Sequence, residues 1–307
     1  MAGLSLKRCA STSQGQRAQG TFGGRMSVYG ENEDQGKYWN EKPGRSWVVH
    51  DHEMNNRFQN ISDILFASLD APNLSNALDI GCGAGATTLR MAKALSGRGA
   101  VTGIDISDAL LGLAREKASA VDNVTFTWAD AQSYQFEPAG FDGAFSRFGV
   151  MFFANPEKAF ANLRAALASG SKLVFVCWAP LKDNPFFLEP MEVVSRHTNA
   201  PVITPGTAPG PMAFGDRDYL SDILRRAGYQ ATEIATRQTT LDTRQSPQED
   251  AALLMKIGAG ARMLFEAEPS KAQVHSLQED FVRMSAAKRS GGITRYPATI
   301  HVVTATA

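Results

Sequence analysis

The stretch NALDIGCGAGATT, residues Asn76–Thr88, places a short apolar run before an acid, three glycines at every second position and a run of small residues. Glycine has no Cβ, so such a turn tolerates positive φ and lets a ligand approach the backbone closely. The helix that begins after the glycines offers free N–H groups to the same ligand. The stretch therefore predicts a nucleotide-like ligand bound at the carboxyl end of a first β-strand.

Strand and helix patterns alternate on the carboxyl side of this turn. Five apolar strand patterns fall at residues 76–80, 100–106, 124–130, 141–148 and 171–178, with helical patterns at 85–97, 107–119 and 155–170. Ser107 is placed to cap the second helix, and Pro156 opens the third. Two further strands are predicted at residues 231–243 and 298–306. The fold class is therefore α/β: a Rossmann-like, doubly wound, mostly parallel seven-stranded sheet with an antiparallel C-terminal strand.

The predicted domain organisation is one domain behind a tail. Residues 1–36 are expected to form a disordered N-terminal extension, and residues 37–307 a single domain with a helix of several turns before the first strand. A small, Pro-rich helical cap or insertion is expected at about residues 180–215, and a helical part at about 247–287. The tail has no acid before Glu31, which allows organellar import through residues 1–25. The favoured alternative is an upstream extension with Met26 as the natural start and a cytoplasmic protein.

Composition narrows the class of protein. Thirty-one basic residues balance thirty-one acidic ones, which argues against a nucleic-acid partner. The three cysteines are widely spaced, as expected in a reducing compartment, and no apolar run is long enough to span a membrane. HDHE, residues 50–53, lacks a third ligand at suitable spacing, so no metal is expected. These features favour a monomer or homodimer that acts on a small molecule.

The acid before the glycines indicates what the turn binds. Asp79 lies two residues before Gly81, and Gly83 and Gly85 follow at even spacing rather than as G-x-G-x-x-G. A carboxylate at this strand end would repel a pyrophosphate and attract an ammonium group. The expected ligand therefore carries a positive amine near the turn and no phosphate there.

Two further acids end the next two strands. Asp105 follows Gly85 by 20 residues, where a carboxylate binds both ribose hydroxyls in doubly wound folds. Asp130 ends the third strand and is placed to accept a hydrogen bond from an adenine amine, with the Ala131 amide near the ring. The carboxyl ends of parallel strands share one sheet edge, so the three acids should line one crevice.

These residues resemble class I S-adenosylmethionine-dependent methyltransferases, of the group similar to ubiquinone/menaquinone-biosynthesis C-methyltransferases. The matching stretches are YWNEKPGRSWV (38–48), LDIGCGAGATT (78–88), VTGIDIS (101–107), VTFTWADAQSYQF (124–136), FDGAFSRFGVMFF (141–153) and NLRAALASGSKLVFVCW (162–178). The resemblance implies S-adenosyl-L-methionine as cofactor, with the methionine part at Asp79 and the glycine turn. Its implied cofactor-binding residues are Trp39, Asp79, Gly81, Gly83, Gly85, Asp105, Ile106, Asp130, Ala131, Arg147 and Phe148.

The implied reaction is methyl transfer to a small-molecule acceptor. Nine aromatic residues are predicted near the crevice, which favours O- or C-methylation of an apolar or aromatic metabolite. They are Tyr38, Trp39, Trp47, Phe148, Phe152, Phe153, Trp178, Phe186 and Phe187. No catalytic residue is fixed; His50, His52 and Arg147 are the weak candidates, and His197 and His275 are further possible bases. A surface or packing role is the more common one for each histidine.

Two other functions stay open from the sequence. A nicotinamide oxidoreductase could use a similar sheet, although the glycine spacing and Asp130 argue against it. A non-catalytic regulator could keep the cofactor pocket without a base.

Overall fold

The computed structural model describes residues 29–307, without the side chains of residues 42 and 43. Residues 1–28, on which the import hypothesis and the Met26 start depend, lie outside the described residues. Residues 29–36, which the sequence analysis assigns to the extension, are helical: a 3-10 turn at Gly30–Asn32 leads into helix α1 (Glu33–Asn40). The buried Asn32 explains this, because its Nδ2 donates to Asp130 Oδ1 at 3.1 Å and its Oδ1 accepts from the Ala154 N–H at 2.7 Å. The folded chain therefore begins before residue 37.

Four short helices precede the first strand, where the sequence pattern predicts one. After α1 come α2 (Lys42–Val49), α3 (Asp51–Arg57) and α4 (Gln59–Ala67). The chain leaves helical geometry at Glu41 and bends at His50 and Phe58, so each helix takes a new direction. As a result α2 packs on the helix Asp108–Lys117, whereas α3 and α4 contact the sheet.

The sheet has eight strands rather than the predicted seven. Strands β1 (Asn76–Ile80), β2 (Ala100–Asp105), β3 (Val124–Trp128), β4 (Phe141–Arg147) and β5 (Leu167–Trp178) are parallel, in the order β3-β2-β1-β4-β5. Strand β8 (Ile293–Thr306) runs antiparallel between β5 and β6 (Gln230–Thr243). The additional strand, β7 (Arg289–Ser290), pairs with the start of β8. The turn Gly291–Gly292, in which both residues have positive φ, connects β7 to β8. A strand of two residues is too short to show a periodic pattern in the sequence.

Helices α5 (Ala86–Ala94), α6 (Asp108–Lys117) and α7 (Pro156–Ala166) provide crossovers between parallel strands. Ser107 caps α6 as predicted, with its Oγ accepting from the Leu110 N–H at 3.3 Å. Helix α7 ends at Ala166, and Leu167 already pairs with Phe141, so β5 begins four residues before the predicted strand. The core between sheet and helices is fully apolar at its centre, with Leu78, Phe145 and Phe160 buried.

Helix α9 (Arg217–Arg226) packs on α7 and β6. The remaining helices form a cap beside the carboxyl edge of the sheet; they are α8 (Pro185–Thr198), α10 (Pro247–Leu254), α11 (Ala259–Ala267) and α12 (Lys271–Ala287). Helix α8 packs against α11 and α12, so the predicted insertion and the predicted helical part meet. A fully buried ion pair, Arg57 Nη2 to Asp250 Oδ1 at 2.6 Å, fastens α3 to this cap. Among the described residues no helix has the length and apolar character of a membrane span.

Candidate functional site

A cavity of about 500 Å³ lies at the carboxyl ends of β1, β2 and β4. The strand order reverses between β1 and β4, and ligands of doubly wound folds bind at such a reversal. One side of the cavity is formed by the glycine turn and the ends of the parallel strands. The opposite side is formed by α3, the start of α8 and the loop at residues 203–212. The predicted crevice therefore exists and extends beyond the sheet edge into the cap.

The glycine turn holds three left-handed backbone positions. Gly81, Gly83 and Gly85 have φ of +63°, +55° and +78°. The amides of Gly81 and Cys82 donate to the Ile104 carbonyl at 2.8 and 3.1 Å, which fastens the turn to β2. A Cβ on Gly81 would lie 2.5 Å from Gly149 Cα, whereas a Cβ on Gly83 would meet nothing within 4 Å. Gly81 is thus required for close backbone packing, and Gly83 leaves open space on the ligand side.

Asp79 lies beneath the turn and does not line the cavity. Its side chain is fully buried, and its Oδ2 accepts from the hydroxyls of Thr87 and Thr88, each at 2.7 Å. Its Oδ1 has no hydrogen-bond partner. Burial raises the pKa of this carboxyl from 3.8 to about 6, against the opposing effect of the two threonines and of Arg147. Asp79 is therefore not placed to contact a ligand amine directly, which is the contact that the sequence analysis expected.

Replacing Asp79 by Asn is expected to stabilise the ligand-free protein by about 1–3 kcal/mol at pH 7.5. The folded chain holds the Asp79 proton up to about pH 6, and the unfolded chain loses it near 3.8. Since the folded state binds more protons between these values, the free energy of unfolding falls as the pH rises through this window. An amide oxygen can still accept from Thr87 and Thr88 without a charge to desolvate. Thermal unfolding from pH 4 to 8 checks this; a stability difference between the two proteins that does not grow from about pH 4 to 6 would contradict it.

Asp105 lies at the end of β2 and lines the cavity. Its Oδ2 accepts from the Gly83 N–H at 2.7 Å, and its Oδ1 accepts from the Ser107 N–H at 2.8 Å. Burial raises the pKa of this carboxyl, and the backbone donors oppose that rise. A carboxylate oxygen has lone pairs beyond those used here, so the group can also accept from two ligand hydroxyls. Ile106 lines the cavity beside it.

Asp130 and Ala131 line the cavity at the end of β3. The nearly buried Asp130 accepts at Oδ1 from Asn32 Nδ2 at 3.1 Å and from the Gln132 N–H at 2.9 Å. Asn32 was not predicted as a site residue, because it comes from the N-terminal segment assigned to the tail. Trp39 of α1 also lines the cavity, and its carbonyl accepts from Ser107 Oγ at 2.8 Å. The N-terminal helices therefore complete the cavity beside the ends of β2 and β3.

The far side of the cavity is an aromatic pocket, by which we mean Trp47, Phe58, Phe148, Trp178 and Phe187. Phe148 has a left-handed φ of +67° and stacks on Trp178, with ring centroids 4.3 Å apart and an interplanar angle of 7°. Phe187 meets Trp178 edge-on at 4.9 Å. All nine aromatic residues expected near the crevice line the cavity. Phe58 was not predicted as a site residue, because an apolar helical pattern does not distinguish a core position from a cavity wall.

The histidine candidates lie elsewhere. None of the five histidines, all within residues 29–307, lines the cavity. Burial lowers the pKa of His50, and the exposed His52 contacts Asn56. His197 pairs with Asp280 at 2.7 Å, and His275 pairs with Glu279 at 3.4 Å. In the part of the chain that the structure describes, no cluster of His, Cys, Asp and Glu could hold a metal ion.

Arg147 remains as the candidate inside the cavity. It ends β4, is half-buried, and lines the wall between the glycine turn and the aromatic pocket. Its two terminal nitrogens donate to Ser62 Oγ at 2.8 Å and to Asn55 Oδ1 at 2.5 Å. Burial lowers the pKa of the guanidinium to about 10, so it stays charged at neutral pH.

Comparison with known proteins gives the same assignment. Residues 77–170 match the methyltransferase domain family. Two demethylmenaquinone methyltransferases of Staphylococcus aureus are similar: one (strain MRSA252) is 34% identical over 98 residues, covering 32% of this chain and 41% of that protein. The other (strain JH9) is 33% identical over 100 residues, covering 33% and 42%. The match thus spans about two fifths of the curated relatives' length.

A solved structure agrees in fold. A chain of the complex between the Haloferax volcanii Trm112 methyltransferase activator and a methyltransferase aligns with a TM-score of 0.51 at 14% identity, covering 87% of this chain and 98% of that one. These matches confirm the Rossmann-like fold and the resemblance of this chain to class I S-adenosylmethionine-dependent methyltransferases, with the family match lying in residues 77–170.

Proposed function

We propose that this chain transfers the methyl group of S-adenosylmethionine to a small apolar or aromatic acceptor, at an oxygen or a carbon atom. One observation carries the proposal: a single cavity joins the glycine turn, Asp105 and Asp130 to an aromatic pocket. The first half suits an adenosyl amino acid, and the second suits an apolar ring. The protein is further proposed to be a cytoplasmic monomer or homodimer.

The residues at the sheet edge fit the cofactor. Asp105 would hold the ribose hydroxyls, and Asp130 with the Ala131 amide would hold the adenine. The glycine turn would hold the methionine part through its backbone, with the Asp79 charge beneath it. Ile106 and Trp39 would cover the adenosine, and Phe148 and Arg147 would lie towards the acceptor. When bound, S-adenosylmethionine supplies an electrophilic methyl group on a sulfonium.

The aromatic pocket would orient the acceptor and keep water away. The faces of Trp178 and Phe148 are electron-rich, and aromatic faces attract cations such as a sulfonium. An aligned pair of reactants contributes roughly 7–11 kcal/mol to rate acceleration in well-oriented systems. Excluding water also strengthens each electrostatic contact in the cavity. These contributions require no base from the protein.

The relatives' names suggest the acceptor class. Both curated relatives are named for methylation of demethylmenaquinone, and each aligns with about a third of this chain. A quinone-type ring with methylation at carbon is therefore the form of the proposal that the relatives support. The stacked pair Phe148 and Trp178, with Phe187 edge-on to Trp178, gives the pocket aromatic walls that suit such a ring.

Methyl transfer tests the proposal directly. The full chain is incubated with S-adenosylmethionine labelled in its methyl group and a panel of reduced naphthoquinones, phenols, aromatic acids and primary amines. We expect label in a quinol or phenol and none in the amines. Transfer to the amines alone would contradict the acceptor class. Absence of transfer to any acceptor by a protein that binds S-adenosylhomocysteine would indicate a regulator instead.

A further inference from the structure

Arg147 brings a fixed positive charge into a largely apolar part of the cavity. The backbone fixes its position, because Ser146 Oγ donates to the Ile80 carbonyl at 2.7 Å and accepts from the Gly149 N–H at 3.1 Å. The guanidinium carbon lies 5.5 Å from the centroid of the Phe58 ring. The charge therefore faces the acceptor side of the cavity rather than bulk solvent.

This charge has no carboxylate partner. Both hydrogen bonds of the guanidinium go to neutral oxygens, of Ser62 and Asn55, and no carboxylate in residues 29–307 lies within ion-pair distance. The nearest acids are already engaged: Asp51 pairs with Lys117 and accepts from Asn55 Nδ2 at 2.7 Å, and Asp79 accepts from Thr87 and Thr88. Asp105 is likewise occupied by the backbone amides of Gly83 and Ser107.

A half-buried guanidinium that hydrogen-bonds only to neutral oxygens is costly to keep, because Asp79 and Asp51 stabilise its charge only from beyond ion-pair distance. Two other arginines of the described chain have a carboxylate partner instead. Arg57 pairs with Asp250 at 2.6 Å, and Arg90 pairs with Asp63 at 2.6 Å. Arg147 is thus a cation in the cavity for which a ligand can supply the missing anionic partner. A guanidinium can bind two oxygen atoms of one ligand through a planar pair of N–H donors.

Resting on the proposed function, we infer that Arg147 is a specificity residue that binds an anionic oxygen of the methyl acceptor. The acceptor is then an acidic aromatic molecule that binds as its conjugate base, and its proton is released to solvent. A nearby cation favours the ionised form of a hydroxyl group. This accounts for a cavity that has no histidine to remove that proton.

The test uses matched ligands that differ in charge. Dissociation constants are measured at pH 7.5 for 2-hydroxy-1,4-naphthoquinone, which is anionic, against its neutral methyl ether, and for 2-naphthoate against 2-naphthamide. Each titration is run with and without S-adenosylhomocysteine. The proteins are wild type, Arg147→Gln, Arg147→Lys and the control Arg90→Gln, which removes a cation that lies outside the cavity.

We expect the wild type and Arg90→Gln to bind at least one anion about 10- to 100-fold more tightly than its neutral analogue. Arg147→Gln should lose this preference by weakening the anion alone, and Arg147→Lys should keep part of it. A preference confined to the hydroxyquinone identifies an enolate or phenolate oxygen, and one confined to the naphthoate identifies a carboxylate.

Two results would overturn the inference: equal affinity of the wild type for anion and neutral analogue, or a preference that survives in Arg147→Gln. Failure of the wild type to bind S-adenosylhomocysteine would count against the proposed function instead, since the ligand-pair comparison without it remains measurable. Thermal unfolding of Arg147→Gln at nearly the wild-type midpoint shows that the variant is folded.

Discussion

Replacing Asp105 by alanine is expected to lower the affinity for S-adenosylhomocysteine at least about 100-fold. The carboxylate holds the Gly83 and Ser107 amides at 2.7 and 2.8 Å, so its loss removes both the proposed ribose acceptor and a group that fixes the glycine turn to the end of β2. The fold should survive, because Asp105 lines the cavity and water can solvate the two freed amides. Calorimetry gives the affinity, and thermal unfolding checks the fold.

Asp108→Ala is the matched control for this variant. Asp108 is exposed in the first turn of α6, three residues beyond Asp105, and does not line the cavity. Its removal should change the affinity less than about threefold. Equal affinities of wild type and Asp105→Ala would remove the assignment of Asp105 to the ribose.

Replacing Gly81 by alanine is expected to destabilise the protein by about 3–5 kcal/mol, combining left-handed strain with overpacking. The new Cβ would lie 2.5 Å from Gly149 Cα, a backbone atom that cannot move aside alone. Gly149 is held in turn by the side chain of Ser146. The midpoint of thermal unfolding should fall by roughly 6–15 °C.

Gly83→Ala separates strain from packing. Gly83 has nearly the same left-handed φ as Gly81, +55° against +63°, but an added Cβ meets nothing within 4 Å. Only the strain of about 1–2 kcal/mol applies, so its unfolding midpoint should fall far less. Similar losses of stability in the two variants would show that close packing against Gly149 is not the reason why Gly81 is required.

The sequence predicts the parallel half of this molecule well, because each element there has a periodic pattern and a recognisable end. Ser107 caps α6 as its position indicates, and Asp105 and Asp130 reach one cavity because parallel strands end at one sheet edge. Phe148 and Trp178 reach the cavity for the same reason, since they lie at the ends of β4 and β5. These predictions need only local sequence patterns and the rule that the carboxyl ends of parallel strands lie at one edge of the sheet.

The contacts that were missed join residues far apart in the chain. Asn32 meets Asp130 across 98 positions, and Arg57 meets Asp250 across 193, so no spacing pattern in a single sequence reveals them. The orientation of Asp79 was also missed. Its carboxylate turns towards the hydroxyls of Thr87 and Thr88, and the adjacent threonines at the start of α5 were the available signal.

The most direct test of the account is calorimetric titration of the full chain with S-adenosylhomocysteine and, separately, with NADH. The strand-end acids, the glycine spacing and the aromatic pocket predict saturable binding of S-adenosylhomocysteine with one site per chain and no heat of binding from NADH. Binding of NADH together with no binding of S-adenosylhomocysteine would contradict the cofactor assignment and, with it, methyl transfer as the function.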